Sequence, residues 1–414
     1  MRKTFVLFLL LAAARMLPAQ VYSDPRQLYG VYYIYDFHPY ESVRAPKGYA
    51  PAGISHYSRH GARFQDSEAA YTRVLDPLLE AREKGALTPL GEALCRQTAA
   101  LYAVCKDHHS ELTALGWEQQ RRNAAFLKEA YPSLFHRDAE ITANSSFSQR
   151  CMMSMTAFCV GLQEVAPRVR VYAQTSRTLL DETNPGDKAN IHYVAPEPAV
   201  SPGGYDYKGL LDTLVSRERA DSILLRIFSD KEAIRSLIPS SRDYCSALYN
   251  MTAGAGCSPE AGPLPDVFTE DELRLFYQAI NHGFYVWAVQ GRETFKPILR
   301  SMARDADEDL KAGHPVVRLR FGHDINLLAV MHMLQVGTLG VVPESLAGLQ
   351  ETWNCFMTPM GAHFELVFFR HRKDAQVLVL PYLNGDIVPL AGLEPVGDVF
   401  YRWEEVRERM LNPV

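Results

Sequence analysis

Three short stretches of the chain read as β-strands, at residues 53–57, 140–143 and 316–321. In the last, Val317, Leu319 and Phe321 alternate with Arg318 and Arg320, the period of a strand with one buried face. Ile141 and Ala143 share a face in the second. Each stretch is expected to run at once into a helix. Ser146, Phe147, Ser148 and Gln149 fit a capping box, and behind it Cys151, Met155, Phe158 and Leu162 keep the spacing of a core-facing helical stripe. Asp324 opens another helix, with Leu327, Val330, Met331 and Leu334 on its buried face.

Residues 66–135 predict two or three amphipathic helices, including 115–131. Residues 205–311 predict several more, among them 205–228 and 271–285. Near the C-terminus, 364–370 and 377–382 read as paired strands. Strands alternating with helices, with helical blocks between them, predict an α/β fold: a mainly parallel central sheet flanked by helices, with an inserted α-helical subdomain. No repeat or linker divides residues 20–414, which read as a single unit. Its α/β core is expected from about 20–65, 136–180 and 312–414, and its helical subdomain from about 66–135 and 181–311.

Composition narrows the setting. With 47% hydrophobic and 22% charged residues over 414 positions, the chain can bury a large core, and disorder is excluded. Arg2 and Lys3, an apolar run over 4–14, and the small residues around Leu17-Pro18-Ala19 read as a signal peptide over about 1–19. That run is shorter than the roughly 20 residues a bilayer needs, and no later stretch reads as a membrane span. The protein is therefore expected to be secreted or periplasmic. A net charge of −5 without basic runs argues against nucleic acid as a partner. Seven cysteines include no C-x-x-C pair, which excludes a zinc ribbon or thioredoxin-type site. In an oxidising compartment Cys245 and Cys257 are the first pair expected to bridge.

The strand-to-helix junctions carry the chemistry. The first supplies Arg59, His60 and Arg63, the second Arg150, the third His323 and Asp324. Ligands of open α/β sheets bind beyond the carboxyl ends of strands, where helix N-termini favour anions. Guanidinium forks match phosphate oxygens, and several converging arginines repel one another unless an anion lies between them. Taken singly, each residue has an ordinary reading: a solvated arginine, a hydrogen-bonded histidine, an aspartate at a helix start. Only the set points to phosphate.

Arg59-His60-Gly61-Ala62-Arg63 resembles the R-H-G-x-R motif of the histidine phosphatase superfamily. Gly322-His323-Asp324 is similar to the His-Asp motif of its acid phosphatase and phytase branch. Ser146 to Cys151, continuing into Ala157-Phe158 and Gly161-Leu162, resembles the segment that supplies that branch's third phosphate-binding arginine. Glu111-Leu112-Thr113 with Gly116, residues 131–135, Arg150-Cys151, and 383–386 with Pro389-Leu390 resemble multiple inositol polyphosphate phosphatases in particular. Two positions depart. Gln65 stands where the branch usually has proline, and His323-Asp324-Ile325 stands where inositol polyphosphate phosphatases typically carry His-Ala-Glu.

The resemblance implies hydrolysis of phosphate monoesters through a phosphohistidine on His60. Arg59, Arg63, Arg150 and His323 would bind the phosphoryl oxygens, and Asp324 would act as proton donor. It implies a small phosphorylated substrate, inositol polyphosphates included, and no metal or other cofactor. A broad or sugar-phosphate acid phosphatase stays open, as does a phosphate-ligand binder without turnover. His56 and His363 read as structural, and Asn144 and Asn250 have the form of glycosylation sequons.

Overall fold

The computed structural model describes residues 23–193, 207–374 and 376–413. The expected signal peptide lies outside the described residues. The strands are β1 (Tyr49–Arg59), β2 (Glu140–Ser145), β3 (Val171–Gln174), β4 (Val316–Gly322), β5 (His363–His371), β6 (Val377–Leu383), β7 (Asp386–Ile387) and β8 (Tyr401–Arg402). They form one sheet in the order β3-β2-β4-β1-β5-β6-β7, with β8 on β6.

Pairing is parallel from β3 to β1 and antiparallel from β1 onward through β5, β6, β7 and β8. The parallel half is the expected core, and its three central strands β2, β4 and β1 are the three that the sequence pattern marks. β3 has no counterpart in that pattern: its four residues are mostly exposed, so no alternation announces it.

Both faces of the sheet are covered, and for that reason nearly every central-strand side chain is buried. On one face Ile54, Ile141, Leu319 and Val367 pack with Leu127 and Phe158 from the helices Ala114–Ala130 and Gln149–Val165. On the other, Tyr57, Phe364 and Leu366 pack with helix Asp324–Met333, helix Lys296–Asp309 and the C-terminal helix Trp403–Leu411. A separate apolar cluster joins helices Ala69–Glu83, Pro89–Cys105, Arg217–Leu224 and Ser241–Ala255 away from the sheet.

Four local expectations are corrected. β1 does not enter a helix at once: residues 60–68 intervene before Ala69. Ser146 is not the N-cap of the second junction's helix. Ser148 is, without a side-chain capping bond, and Gln149 instead accepts from the Leu112 N–H at 3.2 Å. Helix Asp324–Met333 is buried all round from Ile325 onward rather than along one stripe, because β1, helix Lys296–Asp309 and the turns Val286–Gln290, Arg292–Phe295 and Gly337–Gly340 enclose it. Residues 205–228 hold two short helices, Tyr207–Leu214 and Arg217–Leu224, divided where Ser216 caps the second through the Arg219 N–H.

Cys245 and Cys257 do not bridge. Cys245 sits in the helical cluster with its thiol toward the Ala220 carbonyl, whereas Cys257 packs with Ala62 and Met360, and both are free thiols. The Asn144 sequon is also closed to modification: its side chain is buried and donates to Glu182 at 2.7 Å.

Candidate active site

The carboxyl ends of β1, β2 and β4 open on a cavity of about 740 Å³ lined by His60, Arg63, Arg150, His323 and Asp324. Adjacency of the strands does the gathering. His60 follows β1, Arg150 is the second residue of the helix after β2, and Asp324 is the first residue of the helix after β4. Arg59 is the sixth expected residue. It is fully buried and does not line the cavity.

His60 is held by its backbone before its side chain makes any contact. Its N–H donates to the Gly322 carbonyl at 3.0 Å, and its carbonyl accepts from Gly361 at 2.9 Å. The next residue must be glycine, because a Cβ at Gly61 would lie 2.3 Å from the Gly116 carbonyl oxygen. Nδ1 of His60 is 2.9 Å from the Gly61 carbonyl oxygen. A carbonyl only accepts, so Nδ1 carries the proton and Nε2 keeps its lone pair. Burial holds the imidazole pKa well below its ordinary 6.5, and the charges of Arg59, Arg150, His323 and Arg63 push it the same way. The ring is thus a neutral base in mild acid.

The donors around it are differently anchored. Arg63 bonds Asp66 at 3.0 Å and the Phe64 carbonyl at 2.9 Å, and its guanidinium lies 5.4 Å from the Tyr32 ring centroid. Nε of Arg63 and Nε of Arg150 are buried without an acceptor. The His323 ring stands 5.6 Å from that of His60, centroid to centroid, and its Nε2 is 3.4 Å from Ser146 Oγ. Arg59 donates to the Thr358 carbonyl at 2.8 Å, and its Nη2 lies 2.8 Å from Asp324 Oδ2. That ion pair is close but poorly aligned, so Nη2 and Nε of Arg59 lack a true hydrogen-bond acceptor. Burial would raise the Asp324 pKa. The Arg59 charge, His323 and the Ile325 N–H at 2.7 Å outweigh it and hold the carboxyl below its ordinary value.

Three contributors have no clear mark in the sequence. Cys151 lies under His323, its Sγ 3.8 Å from Nε2. Burial alone would push the thiol up, but His323 and the Ser146 and Ser148 hydroxyls bring it to about 7. Gln65, standing where related motifs usually carry proline, anchors the turn through three hydrogen bonds. Its N–H donates to Tyr71 at 2.9 Å, its Nε2 to the Asn250 carbonyl at 2.9 Å, and its Oε1 accepts from Tyr32 at 2.8 Å. Tyr32 in turn underlies Arg63. A proline could make none of these three bonds.

Outside the cavity, His56 and His363 share the buried Glu365 carboxylate at 2.6 and 2.8 Å. The Glu365 carboxyl is held at about 2: burial opposes ionisation, and the two histidines overcome it.

No protein-family model matches the chain, and no curated protein matches it. Solved structures do. The multiple inositol polyphosphate phosphatase of Bifidobacterium longum, in complex with phosphate, superposes with a TM-score of 0.75 at 18% identity over 93% of this chain and 97% of that one. Its complex with inositol hexasulfate gives 0.73 at 18%, over 92% and 97%. The phytase of D. castellii gives 0.66 at 15%, over 94% and 85%. At such identities the likeness speaks of architecture, and it extends over more than nine-tenths of the chain. The chain therefore has the fold of the multiple inositol polyphosphate phosphatase of Bifidobacterium longum and of the phytase of D. castellii.

Proposed function

We propose that the protein is an exported phosphomonoesterase working through a phosphohistidine on His60. The observation that carries the reading is the 2.9 Å contact of His60 Nδ1 with the Gly61 carbonyl, which leaves Nε2 of a buried imidazole as the lone-pair nitrogen in a cavity shared with Arg63, Arg150 and His323. Nε2 attacks phosphorus as the bond to the ester oxygen breaks, and a proton passes to the departing alkoxide. Water then attacks phosphorus, the N–P bond breaks, and inorganic phosphate leaves. Arg63, Arg150 and His323 hold the non-bridging oxygens, and the unpartnered Nε groups of both arginines are donors suited to that task. Arg59 adds its charge from below and two N–H groups without acceptors. Asp324 carries the proton to the leaving oxygen.

A phosphate binder without turnover would need neither a lone pair aimed at phosphorus nor a carboxylate beside the arginines. Export rests on the pattern of residues 1–19. The local motif resemblance brings inositol polyphosphates into the substrate panel, as does the inositol hexasulfate held by the Bifidobacterium longum protein. The test is phosphate release from a panel of monoesters by the purified protein and by His60→Ala, which should release none.

A further inference from the structure

The organic part of the substrate must rest on the cavity wall beyond the phosphate cup, and that wall is aromatic and poor in cations. Tyr32, Tyr193, Ile280, Phe284, Trp287 and Phe295 line it. Trp287 is 53% exposed, although a tryptophan ordinarily hides most of its surface. It sits on the π-helical turn Val286–Gln290 that continues helix Glu270–Tyr285, a distortion found frequently at functional sites. The turn swings the indole to the cavity, and Phe284 from the preceding helical turn stands with it.

Charge says the same from the other side. Among the described lining residues, the lysines and arginines are Arg63 and Arg150 alone, and Arg63 already pairs with Asp66. Asp187 adds a carboxylate to the wall. A hexakisphosphate with one group in the cup would bring five more. Each carries about −1.5 to −2 at neutral pH, and each would lie against rings and a carboxylate, with no further cation among the described lining residues to meet it. Volume admits such a ligand, but the described wall offers its outer phosphates little positive charge.

We infer that the cavity selects esters bearing a single phosphate on an aromatic, uncharged alcohol, with Trp287 as the chief specificity contact. The inference rests on the phosphomonoesterase reading. Benzyl phosphate tests it without favouring the aryl leaving group, since benzyl alcohol is about as poor a leaving group as a simple alkanol. Initial rates of phosphate release give kcat/KM for benzyl phosphate, glycerol phosphate and inositol hexakisphosphate, with wild type, Trp287→Ala and Trp287→Phe.

Benzyl phosphate should exceed each of the others by at least about tenfold, equivalent to about 1.4 kcal/mol and the scale of one aromatic contact. The benzyl-to-glycerol ratio should fall about tenfold in Trp287→Ala and recover to within about threefold of wild type in Trp287→Phe. Turnover of inositol hexakisphosphate equal to or above that of benzyl phosphate overturns the inference and leaves the phosphatase reading standing. So does a ratio that Trp287→Ala leaves unchanged. Release from none of the three esters overturns both together.

Discussion

Nη2 of Arg59 lies 2.8 Å from Oδ2 of Asp324, so the carboxyl proposed to protonate the leaving group faces a buried guanidinium. The pairing has a consequence for the proton. In the free protein Asp324 is ionised through the mildly acidic range, because its pKa is held below the ordinary aspartate value. The proton that leaves with the alcohol must therefore enter with the substrate, whose monoanion loses it with a pKa of about 6. Asp324 relays that proton instead of storing it.

The pH dependence follows from the two signs. His60 is displaced downward, so its neutral form persists as pH falls through 6.5, and no loss of nucleophile occurs there. Above about pH 6 the substrate monoanion is depleted, and kcat/KM should fall about tenfold per unit. A pH series on an alkyl phosphate checks this. An acid limb centred on the ordinary histidine value, or a flat profile beyond about pH 8, contradicts it.

Asp324→Asn should separate leaving groups. Hydrolysis of an alkyl phosphate should slow by about 10²–10⁴-fold, the range for a lost general acid. Release from p-nitrophenyl phosphate, whose phenolate departs unprotonated, should slow far less. Steady-state rates on both esters decide it, and equal losses would remove Asp324 from proton transfer.

Gln65→Pro would restore the residue that the related motifs usually carry, and here it should harm. It deletes the bonds to Tyr71, Asn250 and Tyr32 together. Two or more buried polar groups are left unpaired, which costs about 1–3 kcal/mol each. Urea unfolding should show the loss, and KM should rise because Tyr32 no longer fixes the Arg63 guanidinium. A stability equal to wild type would mean that the turn tolerates either residue.

Gly61→Ala should lose at least about 10²-fold in kcat/KM, the scale of a misplaced reacting group. Its Cβ would meet the Gly116 carbonyl oxygen at 2.3 Å and displace the His60 loop. Gly313→Ala is the matched control, with nothing within 4 Å of its Cβ. Circular dichroism beside the rate distinguishes a displaced loop from an unfolded chain.

What could be read from the sequence divides along physical lines. The three junctions are legible because the resembled motifs carry those residue types in that order, and parallel pairing of β2, β4 and β1 brings their ends together. Gln65 is not, since its side-chain partners lie 33 and 185 positions away and a buried amide means nothing until they are in place. The apparent capping box failed because Gln149 found a better donor in Leu112, on a separate segment. In the sequence, helix Asp324–Met333 reads as one-sided because periodicity reports the strongest face, whereas tertiary packing buries all of them. The aromatic wall was invisible for a similar reason: Tyr32, Trp287 and Phe295 are scattered in the chain and meet only across the cavity.

The central claim is covalent capture of phosphorus by His60, and trapping tests it most directly. The purified protein is mixed with a radiolabelled phosphate monoester and quenched within one turnover in alkaline detergent, where a phosphohistidine survives. Label should be found on the peptide containing His60 and be absent from His60→Ala, whose turnover should fall by at least about 10³-fold. Phosphate release without labelled protein, together with substantial turnover by His60→Ala, would contradict it.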